Sequence, residues 1–222
     1  MTLQEAMSTR HSVRKYKDKP LTAEDKENLK ERIEEHNQKY GLNMQLVTEN
    51  KEGIPKVIGM LMAKGVKNYI ILAGPDKPDT DEKLGYSSAD LMLYAETLGL
   101  NTWWIGGMYS HKGARKNSNA DQSAKIIGIV AIGYGEEDGV PHKSKPANEV
   151  SSYEGDAPEW FKAGVSATLL APTAMNKQSF TVKGSGNKVN MTYASGSFSG
   201  ADLGICKYFF ELGAGKDNFT WV

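Results

Sequence analysis

Stretches of helical and strand periodicity follow one another along this chain without a regular strand–helix–strand rhythm. The pattern reads as an α+β fold rather than a doubly wound parallel sheet. Residues 2–10 put Leu3, Ala6 and Met7 on one helical face. Residues 22–40 predict a longer helix: Pro20 precedes it, Thr22 is an N-cap with Asp25 three residues on, and Gly41 closes it. Residues 81–98 predict a third, with Leu84, Leu91, Ala95 and Leu98 as its apolar stripe and Gly99 at its end. Pro158 begins a fourth, with Phe161, Val165 and Leu169 inward, and residues 201–212 form the last. Strands are predicted over residues 43–48, 67–73, 102–105, 125–134 and 218–222. Residues 178–193 read as a hairpin turning at Gly184-Ser185-Gly186-Asn187. Residues 139–156, rich in Pro, Ser, Lys and Gly, read as a long surface connection.

Composition removes several functions. The 222 residues suffice for one large domain or two small ones. Basic and acidic residues number 27 each, so the chain lacks the surplus with which nucleic-acid binders displace counterions. The one cysteine, Cys206, permits no disulfide framework and no Cys-rich metal site, and beside Leu203 and Phe210 it reads as a core thiol. His11, His36, His111 and His142 are scattered, without metal-ligand spacing. Gly133-Tyr134-Gly135 and Gly184-Ser185-Gly186 lack the rest of a dinucleotide fingerprint. Residues 1–16 have no apolar signal-peptide core, and the apolar runs at 69–73 and 126–132 are too short to span a bilayer. These features read as a cytoplasmic protein with neither nucleic acid nor membrane as partner.

Four clusters carry candidate chemistry. Arg10, Ser12 and Arg14 alternate after the first helix, so an extended backbone points two guanidinium forks and a hydroxyl to one side, as a phosphate receptor requires. A solvated basic stretch at a helix end gives the same letters. Between a helix and a strand, Pro172 breaks the helix, and Thr173 and Asn176 set short polar groups beside freed main chain. That suits the edge of a flat heterocycle, and it also suits an ordinary connection. Trp103-Trp104-Ile105-Gly106-Gly107 runs a strand into glycines that admit a close neighbour, while its aromatics wall a site or fill a core. His142-Lys143-Ser144-Lys145 adds two lysines in a loop.

Together these clusters resemble FMN-dependent nitroreductases. Arg10-His11-Ser12-Val13-Arg14 is similar to that family's opening motif. Ala171-Pro172-Thr173-Ala174-Met175-Asn176-Lys177-Gln178 resembles its Ala-Pro-Ser-x-x-Asn-x-Gln signature, with Thr173 for Ser and Ser179 where Pro is usual. Residues 98–107 resemble its Gly-Leu-x-x-x-x-Ile-x-Gly segment, and residues 129–135 followed by 142–145 resemble its last strand and basic tail. The order departs from the family, where the Pro-Ser-x-x-Asn segment comes early and a homodimer completes the site. Ser87-Ser88-Ala89-Asp90-Leu91 and Ser199-Gly200-Ala201-Asp202-Leu203 echo one another as helix openings, each leading to a Trp-containing strand. Chance similarity of two Ser/Ala/Leu helices gives the same echo. On the duplication reading, residues 1–150 are one half carrying the phosphate motif. Residues 151–222 are then a shortened second half, an internal pseudo-dimer in a subgroup with this fusion.

The resemblance implies a mostly antiparallel sheet flanked by helices, and FMN as cofactor. It implies that Arg10, Ser12 and Arg14, with Lys143 and Lys145, hold the phosphate and ribityl chain, with His11 adjacent. Ile105, Gly106 and Gly107 would offer backbone groups to the ring, and Pro172, Thr173, Asn176 and Gln178 would cover its far edge. The implied activity carries two electrons from NADH or NADPH to a nitroaromatic or quinone without a side-chain acid or nucleophile, in a monomer or homodimer. Other acceptors, as in dehalogenases or enoyl-type reductases, and a non-catalytic flavin-binding or redox-sensing module remain open.

Overall fold

Thr22 and Asp25 form the reciprocal cap that their spacing predicts. The Asp25 amide donates to Thr22 Oγ1 at 3.0 Å and the Thr22 amide to Asp25 Oδ2 at 3.1 Å. The computed structural model describes residues 1–222. In chain order the elements are α1 (Leu3–Thr9), α2 (Ala23–Tyr40), β1 (Gln45–Val47), α3 (Lys56–Leu61), β2 (Tyr69–Gly74) and α4 (Thr80–Thr97). Then come β3 (Asn101–Ile105), α5 (His111–Lys116), β4 (Lys125–Gly133), α6 (Ala147–Val150), β5 (Ser151–Tyr153) and α7 (Glu159–Thr168). The chain ends with β6 (Phe180–Ser185), β7 (Lys188–Tyr193), α8 (Ser199–Ala214) and β8 (Thr220–Trp221). Two compact units form: residues 9–80 with 91–141, and residues 1–8 and 81–90 with 142–222.

The first unit is built on an antiparallel sheet in the order β1-β2-β4-β3. Alternation along β4 sends successive side chains to opposite faces. Ile129 and Ala131 join Val13, Tyr16, Tyr69, Ile71, Trp103 and Ile105 on one side. Ile132 meets Leu29 of α2, Ala95 of α4 and Leu100 on the other. Both faces of the sheet are therefore covered, and every residue of β2 is buried.

The second unit has a sheet in the order β5-β6-β7-β8, whose central pair is the antiparallel hairpin. Its turn is the two-residue Gly186-Asn187, with Gly186 at φ 55°, one step later than the sequence placed it. Helices α7 and α8 pack together, and Gly164 lies under Phe210, where a Cβ would come within 2.7 Å of the ring. Trp160 stacks on Phe219, which meets Phe210 and Trp221 edge-on.

Three expectations need correction. The predicted surface connection at 139–156 contains α6 and β5, and β5 pairs parallel with β6. Three residues are too few to show a period, and this pairing comes from Tyr153 lying over Gly184, where a Cβ would sit 2.4 Å from the ring. Helices α3 and α5 were not foreseen, since α3 buries no side chain and α5 is six residues long around Gly113. The serine-led echo does not sit at matching places, because Ser199 begins α8 while Ser87 lies in the third turn of α4.

Residues 81–90 of α4 cross α8 backbone to backbone. A Cβ on Gly204 would lie 1.9 Å from the Glu82 carbonyl oxygen, and one on Gly85 2.0 Å from that of Ala201. No side-chain rotation relieves a clash with main chain. Gly204→Ala is expected to destabilise the protein by about 2 kcal/mol or more, against the small helix-propensity gain of alanine. A urea midpoint equal to that of the wild type would contradict this crossing.

Candidate functional site

In the first unit, the segment after α1 is extended and stitched beside β3. Ser12 bridges Thr102, and the Val13 amide donates to the Thr102 carbonyl at 3.1 Å. Val13 is fully buried, which fixes the alternation of its neighbours. Arg10 is only 3% exposed. Its Nε has no hydrogen-bond partner. Burial lowers its guanidinium to about 10, with Glu96 acting against that shift. Burial in turn raises the Glu96 carboxyl, while Thr9 and Arg10 pull it down. Arg14 is exposed, with its guanidinium carbon 5.2 Å from the Trp103 ring centroid, within cation–π reach. His11 is half-buried, and its Cβ would lie 2.9 Å from a Cβ on Gly139.

At the end of β3 the Ile105 and Trp103 side chains are buried in the core. Trp103 therefore packs as core while serving as a platform for Arg14. Ile105 can offer only main chain to a ligand, Gly106 is half-buried, and Gly107 is exposed. The Thr102 hydroxyl is buried without a partner.

In the second unit, residues 172–178 form a tight turn between α7 and β6. Met175, Asn176 and Gln178 take left-handed backbone, with φ of 55°, 53° and 45°. Asn tolerates this region; Met and Gln are strained there by about 1–3 kcal/mol each. Several bonds hold the turn. Gln178 is 1% exposed, and its side-chain amide donates to the Lys143 carbonyl and to Asn176 Oδ1, both at 2.8 Å. Asn176 Nδ2 donates to the same Lys143 carbonyl at 2.8 Å, and the Gln178 amide donates to Thr173 Oγ1 at 3.1 Å. The Lys145 amide donates to Gln178 Oε1 at 2.9 Å and its ammonium to the Gln178 carbonyl at 3.0 Å. His142 and Ser144 bond the Leu169 carbonyl at 2.9 Å and 3.0 Å. Residues 142–145 thus strap the turn. Within this unit the structure brings Lys143, Lys145, Thr173, Asn176 and Gln178 together, with Pro172 at the head of the turn. The Lys145 ammonium is on main chain, and the Lys143 ammonium is exposed.

Asp202, in the first turn of α8, was quoted in the sequence only as part of an echo. It is 4% exposed, and the Ala174 amide donates to both its carboxylate oxygens at 3.1 Å. Burial pushes its carboxyl up, against the pull of Tyr193, the Ala174 amide and Lys177. The Tyr193 hydroxyl faces it without meeting hydrogen-bond geometry, and burial and Asp202 push that hydroxyl up. The signal that could have found Asp202 is an acid set among Ala201, Ile205 and Cys206 on a helix face that is otherwise apolar.

These residues fit an anionic cofactor tail. A buried guanidinium with an orphaned Nε is unfavourable by itself, and a phosphate or ribityl oxygen would satisfy it. No group of three or more His, Cys, Asp or Glu could hold a metal ion, and no helix is long and apolar enough to cross a membrane.

Comparison with known proteins gives the family and the fold. The family described as "Putative TM nitroreductase" matches residues 2–214. A solved "putative nitroreductase" from Thermotoga maritima MSB8 is 20% identical, with 98% of this chain and 85% of that one covered and a TM-score of 0.66. A nitroreductase-like protein from Streptococcus mutans is 14% identical, with 65% and 94% covered and a TM-score of 0.54. At such identities the likeness shows the fold, an α+β arrangement with antiparallel sheet and helices. No curated protein matches the chain. Because the family match spans nearly all of the sequence, the chain belongs to this nitroreductase family, a membership that implies a flavin-dependent oxidoreductase.

Proposed function

We propose that this chain binds FMN and passes two electrons from NADH or NADPH to a small planar acceptor, a nitroaromatic or quinone, in the cytoplasm as a monomer or homodimer. The observation that carries the reading is Arg10, a buried guanidinium with an unpartnered Nε, on a segment whose next basic residue, Arg14, has its guanidinium carbon 5.2 Å from the Trp103 ring centroid. When bound, FMN supplies the two-electron chemistry. Arg10, Ser12 and Arg14 bind the phosphate and ribityl oxygens through charge-assisted hydrogen bonds, with His11 beside them. Main chain at Ile105, Gly106 and Gly107 meets the ring, where glycine lets a flat body approach. Pro172, Thr173, Asn176 and Gln178 shape the turn assigned to the ring's edge. Lys143 supplies an exposed cation, and Lys145 joins that turn through its bonds to Gln178.

The purified protein is expected to be yellow. NADH or NADPH should bleach it anaerobically, and a nitroaromatic should restore the colour. A yellow protein indifferent to both nucleotides would favour a non-catalytic flavin-binding module, and a colourless one that takes up no added FMN would end the proposal.

Arg14→Ala should weaken FMN affinity by about tenfold or more through loss of a charged hydrogen bond, with little effect on folding because the side chain is exposed. Fluorescence titration of the flavin-free protein measures this; equal affinity would remove Arg14 from the site. The internal duplication reading predicts one FMN per chain, and a ratio of one per two chains by absorbance would count against it.

A further inference from the structure

We propose that Asp202 is a positioning residue that fixes the ring-facing turn of residues 172–178 from beneath, by accepting the Ala174 amide on its buried carboxylate. This rests on the flavin reading above. The turn contains three left-handed residues that are not glycine, so its shape is imposed by its fasteners rather than by backbone preference. The fasteners differ in kind. On the outer side, the Asn176 and Gln178 amides bond the Lys143 carbonyl of the strap. On the inner side, Asp202 alone reaches up from α8, and it takes the Ala174 amide between its two oxygens. Ala174 immediately precedes the left-handed run, so this bond sets where the run begins.

Asp202 is an unusual choice for a merely structural anchor. One shared amide at 3.1 Å satisfies a buried carboxylate poorly, and the neighbouring Tyr193 hydroxyl does not complete the set. Removing the acceptor oxygens should free the turn while leaving the rest of the fold nearly intact.

The test compares Asp202→Ala with Asp202→Asn in flavin-free protein and in protein titrated with FMN. Asp202→Asn keeps an oxygen for the Ala174 amide and should resemble wild type in amide exchange at Ala174 and in FMN affinity. Asp202→Ala should expose the Ala174 amide to exchange and weaken FMN binding by about tenfold, the usual size of a lost hydrogen bond to a charged group. Its flavin-free melting temperature should stay within about 4 °C of wild type. Unchanged FMN affinity in Asp202→Ala overturns the proposal. So does a melting temperature that drops in both variants in step with affinity, because Asp202 would then be a structural anchor alone. A wild-type chain that takes up no FMN sinks the flavin reading instead. Exchange at Ala174 separates that failure from failure of the anchor, since it is read without FMN.

Discussion

The burial of Val13 and Tyr16 governs the basic segment. Val13 is fully buried and Tyr16 is 3% exposed, and both sit in the core on one face of the β1–β4 sheet. The Tyr16 amide donates to Lys64, that of Lys17 to Tyr134, and Tyr16 bridges Gly135. With two apolar anchors three residues apart and main-chain bonds at each, the backbone between them has little freedom. Arg14 must then project away from the core, and Ser12 is committed to Thr102. What the letters show as a row of basic residues becomes an ordered segment because its hydrophobic interleaving is buried.

The second unit reaches order by a different route. Its turn at 172–178 has little apolar anchoring, and Met175 is 88% exposed at its apex. Polar bonds hold it instead, and they are mutually dependent: Gln178 supports both Asn176 and the strap, and the strap's Lys145 supports Gln178. Such a network is strong when complete and weak when any member is lost. It also explains a shift in the meaning of Lys145. Expected as a free cation, it spends its ammonium on the Gln178 carbonyl, while Lys143 gives the strap's carbonyl and keeps its side chain in solvent.

Much of this was legible in the letters where a signal is local. The Thr22–Asp25 box and Gly41 mark α2, and the hydrophobic run at Tyr69–Gly74 marks a strand buried on both faces. The motif around Arg10 and that around Pro172 stand out because residue types at fixed spacing survive without any knowledge of contacts. Non-local features were not legible. The pairing of β5 with β6 depends on Tyr153 finding Gly184, thirty-one residues on, and no window of sequence reports it. The burial of Arg10 was hidden for the same reason, since nothing in its neighbours says that Glu96 is the carboxylate nearest in effect. Asp202 was visible as a letter, but only as part of the echo between residues 87–91 and 199–203.

Arg10 and Asp202 share a feature that ordinary core design avoids. Each is a charged group almost wholly removed from water: the Nε of Arg10 has no hydrogen-bond partner, and the Asp202 oxygens share one backbone amide. In a fold optimised only for stability, an apolar residue of similar volume would serve better at either place. Their presence therefore points to selection on something other than the free energy of folding. On the proposed reading the partner of Arg10 would be an anion, and Asp202 would hold the shape of a strained turn. On the flavin reading proposed above, each group would serve within its own unit by being already dry and oriented before a cofactor binds, which is what preorganisation requires.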